Sequence, residues 1–271
     1  MSAQQDAARA AQAAGVELRE VTDLVGFLAV QRLFEQIWRP DPHSPPVTTE
    51  LLRALTKAGN YVAAAYQEQR MVGACVAFFG PPGEASMHSH IAGVARGLST
   101  RGVGYAIKLH QRAWALEHGV QTISWTFDPL MSRNAYFNLV KLGATAVEYL
   151  PDFYGGMHDG INAGDETDRL LVRWDLSAPR TNPVSCEGGV VALGRDADGG
   201  PALGSPGSLD GDTLLVAVPI DVAALREADA GLARKWRCAV RDVLAPRIAA
   251  GDRVTGFDKT GWYVLQREGR Q

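Results

Sequence analysis

The period of apolar and polar positions changes along the chain, and each change predicts an element. VELREV (16–21) alternates and reads as a strand. DLVGFLAVQRLFEQIW (23–38) has apolar residues at helical spacing, with Asp23 as its cap. RPDPHSPP (39–46) breaks that helix, because proline fixes the backbone and removes a donor. TTELLRALTKAG (48–59) predicts a second helix closed by Gly59. YVAAAYQ (61–67) and MVGACVAFFG (71–80), separated by EQR, predict a hairpin, and SMHSHIAGV (86–94) a further strand. A helix from about 103 to 118, the strand TISWTF (122–127), a helix over 132–143 and the strands ATAVEYL (144–150) and RLLVRWDL (169–176) follow.

This order is neither all-antiparallel nor regularly doubly wound. It predicts a mixed α/β fold: a mixed, mostly antiparallel sheet with helices on both faces. Residues 1–14 read as a disordered or helical tail, and 15–177 as one domain. From 178 to 211 Pro, Gly, Ser and Asp dominate, which predicts a linker. Residues 212–271 then form a small strand–helix–hairpin unit, with LLVAVPI (214–220), a helix over 221–244 broken near Pro246, and a terminal hairpin. With so few elements, this unit is expected to dock on the first. On its helix Leu232, Trp236, Val240, Val243 and Leu244 form an apolar stripe. Arg234, Arg237 and Arg241 lie off the stripe, as a solvated face or an anion or partner contact.

Composition narrows the classes. The 271 residues are 46% hydrophobic with a formal net charge of -3, which argues against nucleic acid as the main partner. The three cysteines, Cys75, Cys186 and Cys238, are odd in number and far apart. That spacing suits neither a disulfide framework nor a zinc knuckle and points to a reduced, cytoplasmic protein. The polar, Ala-rich start lacks the pattern of a signal peptide. No apolar run reaches the roughly 20 residues that span a bilayer, so no membrane partner is expected.

HSHIAGVARGLSTRGVGYAIKLHQRAW (88–114) reads as strand, glycine turn, helix. The first amides of a helix have no internal partner, and its dipole adds partial positive charge there. Gly102 and Gly104 clear side chains from that place and Arg101 adds charge, so the turn is either a phosphate cradle or only a turn.

With these residues in view, the stretch from about 16 to 176 resembles the GNAT superfamily of acyl-CoA-dependent N-acyltransferases. The order of elements is similar, and so is the strand–turn–helix that holds the coenzyme A pyrophosphate. Two registers fit the family's turn, Arg101–Ala106 and Ser99–Gly104. The second is preferred, and it puts Ser99 where Arg or Gln is usual. The resemblance implies that strands 86–94 and 122–127 splay around the pantetheine arm. Gly93, Val94 and Ala95 would contact that arm, Ser99, Arg101, Gly102, Val103 and Gly104 the phosphates, and Asn134 the cofactor. The cosubstrate would be acetyl-CoA or succinyl-CoA, and no metal is expected. The pattern HSH, WTFDP, RNAYFN, KLG, DFYG and TDRLLVRW resembles a branch with relatives associated with succinylation of amino acids, which implies a small amine acceptor. A homodimer stays open.

His88 and His90 share a strand face. His90 is the candidate base, or both are packed histidines; two ligands with no third do not make a metal site. Asp128 at a strand end would bind a substrate ammonium or simply form its Asp-Pro turn. The family's thiolate-protonating tyrosine aligns with Leu139, so Tyr136, Tyr154 or water would replace it. Asp159, Asn162 and Asp168 would line a pocket or satisfy loop backbone. Arg169 and Arg173 would reach a carboxylate or stay exposed. The reading is an acyltransferase working by direct attack. A non-catalytic CoA-binding module is the alternative, and other thioester chemistry, such as hydrolysis or decarboxylation, is a third.

Overall fold

The apolar run YVAAA is a strand covered on both faces, which is why it shows no alternation. It belongs to the first of two compact units in the computed structural model, which describes residues 2–41, 45–95, 97, 102–156, 165–178, 185–204, 209 and 211–267. The first unit holds Met1–Trp125 and 175–177. Its helices are α1 (Ala3–Ala14), α2 (Leu24–Trp38), α3 (Thr49–Lys57) and α4 (Val103–Glu117). Its strands are β1 (Glu17–Glu20), β2 (Tyr61–Gln67), β3 (Arg70–Phe79), β4 (Ser86–Val94) and the larger part of β5 (Thr122–Phe127).

Strands β1 to β5 pair in chain order, antiparallel except for the parallel β4–β5 pair. Val62, Ala64, Ala74 and Val76 pack on Phe27, Val30, Leu33 and Phe34 of α2 and Leu52 of α3. The intervening positions face α4. The Tyr61 ring lies 5.1 Å from that of Trp114, and Cys75 accepts a hydrogen bond from Gln111. A Cβ on Gly73 would meet Ile107 Cδ1 at 2.8 Å, so β3 and α4 approach too closely there for a side chain. The mixed sheet with helices on both faces is thus the arrangement of this unit. Asp23 caps α2 through Gly26 (2.8 Å), as the pattern predicted. The tail is the helix α1, opened by a capping box at Ser2 and Gln5.

The second unit takes over within β5, after Trp125. It contains α5 (Ser132–Ala135), a π-helical stretch (Tyr136–Lys141), and the antiparallel pair β6 (Thr145–Leu150) and β7 (Arg169–Asp175). A separate sheet runs β11–β12–β10–β8–β9, from β8 (Val190–Arg195), β9 (Pro201–Leu203), β10 (Thr213–Ala217), β11 (Arg253–Asp258) and β12 (Trp262–Gln266). Helices α6 (Val222–Ala228) and α7 (Ala230–Ala249) belong with it.

Three local expectations change. Strands β8 and β9 lie inside the segment read as linker, because glycine and proline mark the turns around short strands as readily as they mark a tether. The helix of 221–244 breaks at Asp229, where extended backbone (φ -150°, ψ 88°) ends α6 and caps α7 through Leu232. Pro246 stays inside α7. The helix over 132–143 is only briefly α before it widens to π geometry.

Candidate functional site

Strand β4 carries a bulge at its histidines. Ala77 of β3 opposes Ser89 and Val76 opposes Ile91, which leaves His90 as the extra residue. Bulges bend a strand and re-aim side chains, often beside functional sites. Pairing of β4 with β5 is confined to Ser86, Met87 and His88, the last opposite Ser124. β4 continues past it to Val94. The Ala95 amide donates to Val72 (2.8 Å), so alternation along the strand turns the Val94 and Ala92 amides away from β3. Of the three predicted pantetheine contacts, Val94 therefore offers its amide on the outer edge, and the Ala95 amide is already used. A Cβ on Gly93 would sit 2.7 Å from both Ile37 and Trp38, so α2 closes over that residue.

Ser99 and Arg101 lie outside the described residues. Gly102 is left-handed (φ 82°) and begins α4 with no side-chain cap. Its conformation is one that L side chains resist. The first turn of α4 is thus a helix end that Gly102 does not cap and that favours anions. Among the described residues a Cβ on Gly104 would have only Val94 Cγ2 as a neighbour, at 3.7 Å, so they leave the backbone there open to close approach. The Val103 side chain is buried, so it can contribute only its amide.

The histidines face the Phe78 ring, with centroid distances of 5.3 Å for His88 and 6.0 Å for His90. They stand 6.4 Å from each other. His88 Nδ1 is 3.4 Å from Ser124 Oγ. Desolvation lowers the pKa of both. For His88, repulsion from His90 and from Lys108 adds to it. Both shifts favour the free base, for the half-buried His88 more securely than for His90, whose side chain is exposed.

Ser89 points the other way, into a buried polar cluster that the sequence reading missed. Lys108 of α4 is 5% exposed. Its Nζ donates to Ser89 Oγ (3.1 Å) and Gln111 Oε1 (2.7 Å) and lies 3.9 Å over the Trp125 ring. Gln111 Nε2 donates to Ser89 Oγ (3.1 Å) and Cys75 Sγ (3.2 Å). Burial brings Lys108 down to about 8 and pushes the Cys75 thiol up. A lysine on an amphipathic helix gives no signal in sequence that it faces inward.

In the second unit, Asp128 is enclosed by arginines. It accepts from Arg237 at 2.7 and 3.0 Å and from Arg226 at 2.7 Å. Burial alone would raise its pKa, but the two guanidinium groups more than reverse this and hold it well below the carboxylate range. Asp165 accepts from the same arginines, at 3.1 Å from Arg226 and 2.9 Å from Arg237. Asp168 accepts from Tyr149 (2.6 Å), from the Asp152 amide (3.0 Å) and from Arg241, which also reaches Glu166. The geometry ties Asp128 into an ion-pair network. Of the two alternatives, substrate ammonium or Asp-Pro turn, the turn contact is present, with the Leu130 amide donating to Oδ1 at 2.9 Å. Arg237 is fully buried rather than on a solvated face, and Asp168 serves its loop and α7. The pairing was hidden because it joins residues about a hundred positions apart.

The other candidates of this unit separate. The Tyr154 hydroxyl meets Thr126 Oγ1 (3.1 Å), and Arg169 lies 5.3 Å from its ring centroid. Tyr136 opens the π-helical stretch with Lys259 5.2 Å from its ring centroid. Leu139, where the resemblance led one to expect a tyrosine, is buried. The Asn134 amide donates to Met131 O (2.8 Å), and Arg173 is exposed. Asp159 and Asn162 lie outside the described residues. Among the described residues no cluster of His, Cys, Asp and Glu could hold a metal ion, and no helix is long and apolar enough to cross a membrane.

No protein-family model matches the chain, and no curated protein matches it. Solved structures do. One assigned to the GNAT family of acetyltransferases, from Desulfovibrio desulfuricans, is 18% identical, covers 60% of this chain and 99% of its own, and has a TM-score of 0.49. The ribosomal-protein-S5-alanine acetyltransferase of Vibrio fischeri is 13% identical over 61% and 96%, with a TM-score of 0.49. Ard1 from Thermoplasma volcanium is 15% identical over 59% and 97%, with a TM-score of 0.46.

Proposed function

We propose that the protein is a GNAT-type N-acyltransferase that moves a short acyl group from acyl-CoA to the amine of a small molecule by direct attack. The observation that carries this is the path of β4: bulged at His90, paired with β5 no further than His88, and followed by an uncapped helix behind a left-handed Gly102. On this reading the pantetheine arm adds to the outer edge of β4 through Val94. The pyrophosphate sits on the first amides of α4. An amide of β4 polarises the thioester carbonyl. His90 takes the proton of the attacking amine, directly or through water. Tyr136 and Tyr154 are the candidate donors to the leaving thiolate, each tested by its Phe variant. The donor is acetyl-CoA or succinyl-CoA, the acceptor an amino acid or related amine, and the setting the cytoplasm.

The test is calorimetry with CoA, acetyl-CoA and succinyl-CoA, followed by acceptor-dependent release of CoA. A ligand at 100 times its Kd adds about 2.7 kcal/mol of stability. Gly104→Val, which puts methyl groups where the phosphates would approach, is expected to weaken CoA binding at least about tenfold while the fold is kept. Normal binding by that variant, or no binding by the parent protein, would overturn the phosphate assignment. Binding without an acyl product would favour the second reading, a CoA-binding module. The buried Leu139 and the ion-paired Asp128 are what favour it.

A further inference from the structure

Lys108 is a buried ammonium whose contacts among the described residues are a hydroxyl, an amide oxygen and an aromatic face, with no carboxylate among them. Buried charges are normally paired with opposite charge, and one that is not costs stability. Its place in the fold is specific. It holds Ser89, the residue between His88 and His90, at the point where β4 bulges. Gln111 backs the same hydroxyl, and Cys75 of β3 lies 3.6 Å from it.

We propose that Lys108 is a positioning residue for the β4 histidines: through Ser89 it fixes the bulge that presents His90, and its charge acts through the strand on His88. The inference rests on the function proposed above for its catalytic meaning, but its physical content is independent of it. Among the described residues the two rings contact Phe78 of β3, Ser124 of β5 and each other. Lys108 supplies positive charge from α4. Cys75 faces Lys108, and its raised pKa keeps it neutral. A positive charge disfavours protonation of a neighbouring imidazole, so Lys108 adds to the desolvation and the His90 repulsion that favour the free base of His88. His90 carries no such influence from Lys108, only desolvation.

The experiment is a proton NMR titration of His88 and His90 in the full chain and in Lys108→Met, with the melting temperature and the pH profile of activity measured beside it. The midpoint of His88 is expected to rise in the variant, and that of His90 to move less. The fold should remain, because a buried unpaired charge has been replaced by an apolar stem of similar shape. If transfer occurs, kcat should fall while KM for the acyl donor is kept, and Lys108→Arg should restore part of it. An unchanged His88 titration in folded Lys108→Met overturns the proposal whatever the activity does. Should Lys108→Met not fold, the titration of Lys108→Gln, which keeps a donor for Ser89, decides with the same two outcomes. A shifted His88 in a protein without transferase activity would support the electrostatic coupling and count against the transferase reading instead.

Discussion

Each unit buries a cation on a helix, and the two satisfy it in opposite ways. Arg237 of α7 meets Asp128 and Asp165, which Arg226 shares. Both carboxylates and both guanidinium groups are covered, and each partner stabilises the charge of the others. Among the described residues Lys108 of α4 meets only neutral groups. The first arrangement raises the pKa of its cation and the second lowers it, although burial pushes both downward. The difference teaches that burial alone does not set the state of a charge; the sign of its neighbours does. It also separates roles. The arginine network ties the loop before β7 to α6 and α7. The lysine ties nothing that a neutral side chain could not, except the point where β4 bulges.

The comparison breaks first at Arg237. Arg237→Met leaves two buried carboxylates with one remaining guanidinium, and is expected to cost about 3–5 kcal/mol in denaturant unfolding. A loss below about 1 kcal/mol would mean that the network relaxes or hydrates freely.

Lys108→Met should act in the other direction. The pKa of Lys108 is lowered from 10.5 to about 8 on folding. The folded state thus binds fewer protons than the unfolded chain between pH 8 and 10.5, so stability of the parent protein rises with pH across that window. Below pH 8 the full cost of the buried charge is present, about 3 kcal/mol by linkage. The variant is expected to be as stable as the parent or more so at pH 7, with the advantage gone above pH 10.5. Melting temperatures at pH 7, 9 and 10.5 check this, and a destabilised variant at pH 7 would make Lys108 a structural donor.

The smallest effect is local and acidic. His88, His90 and His110 all have lowered pKa values, led by desolvation, so protonation below about pH 6.5 favours opening of the first unit. In the second unit Asp128 and Asp168 are held low by arginines. Their contribution is complete above the ordinary Asp range near pH 4 and is lost only as pH falls below it. Hydrogen exchange, corrected for its intrinsic rate, should show β4 and α4 losing protection between pH 6.5 and 5 while α7 holds. Simultaneous loss in both would sink the contrast.

Much of the fold was legible residue by residue. The alternation of VELREV, the cap Asp23 and the glycines behind helices act over a few positions, and sequence displays such effects directly. Within the site, the shared face of His88 and His90 followed from strand period. The bulge did not. It depends on how β3 and β4 pair, and a run such as SMHSHIAGV carries no mark of the residue left over. Strands β8 and β9 were hidden for a related reason: a strand of three to six residues in glycine-rich surroundings is held by its neighbours in the sheet, not by its own pattern.

Read residue by residue, the chain marks the elements of the first unit, most of those of the second and the glycines at the head of α4. These rest on local backbone preference and on the periods of helix and strand. Only the tertiary structure decided which charges meet. It placed Asp128 against Arg226 and Arg237, turned Lys108 toward Ser89, and ended the pairing of β4 with β5 at His88. Coulomb attraction and desolvation depend on distance in space. Partners a hundred residues apart in the chain become partners only when the fold removes the water between them.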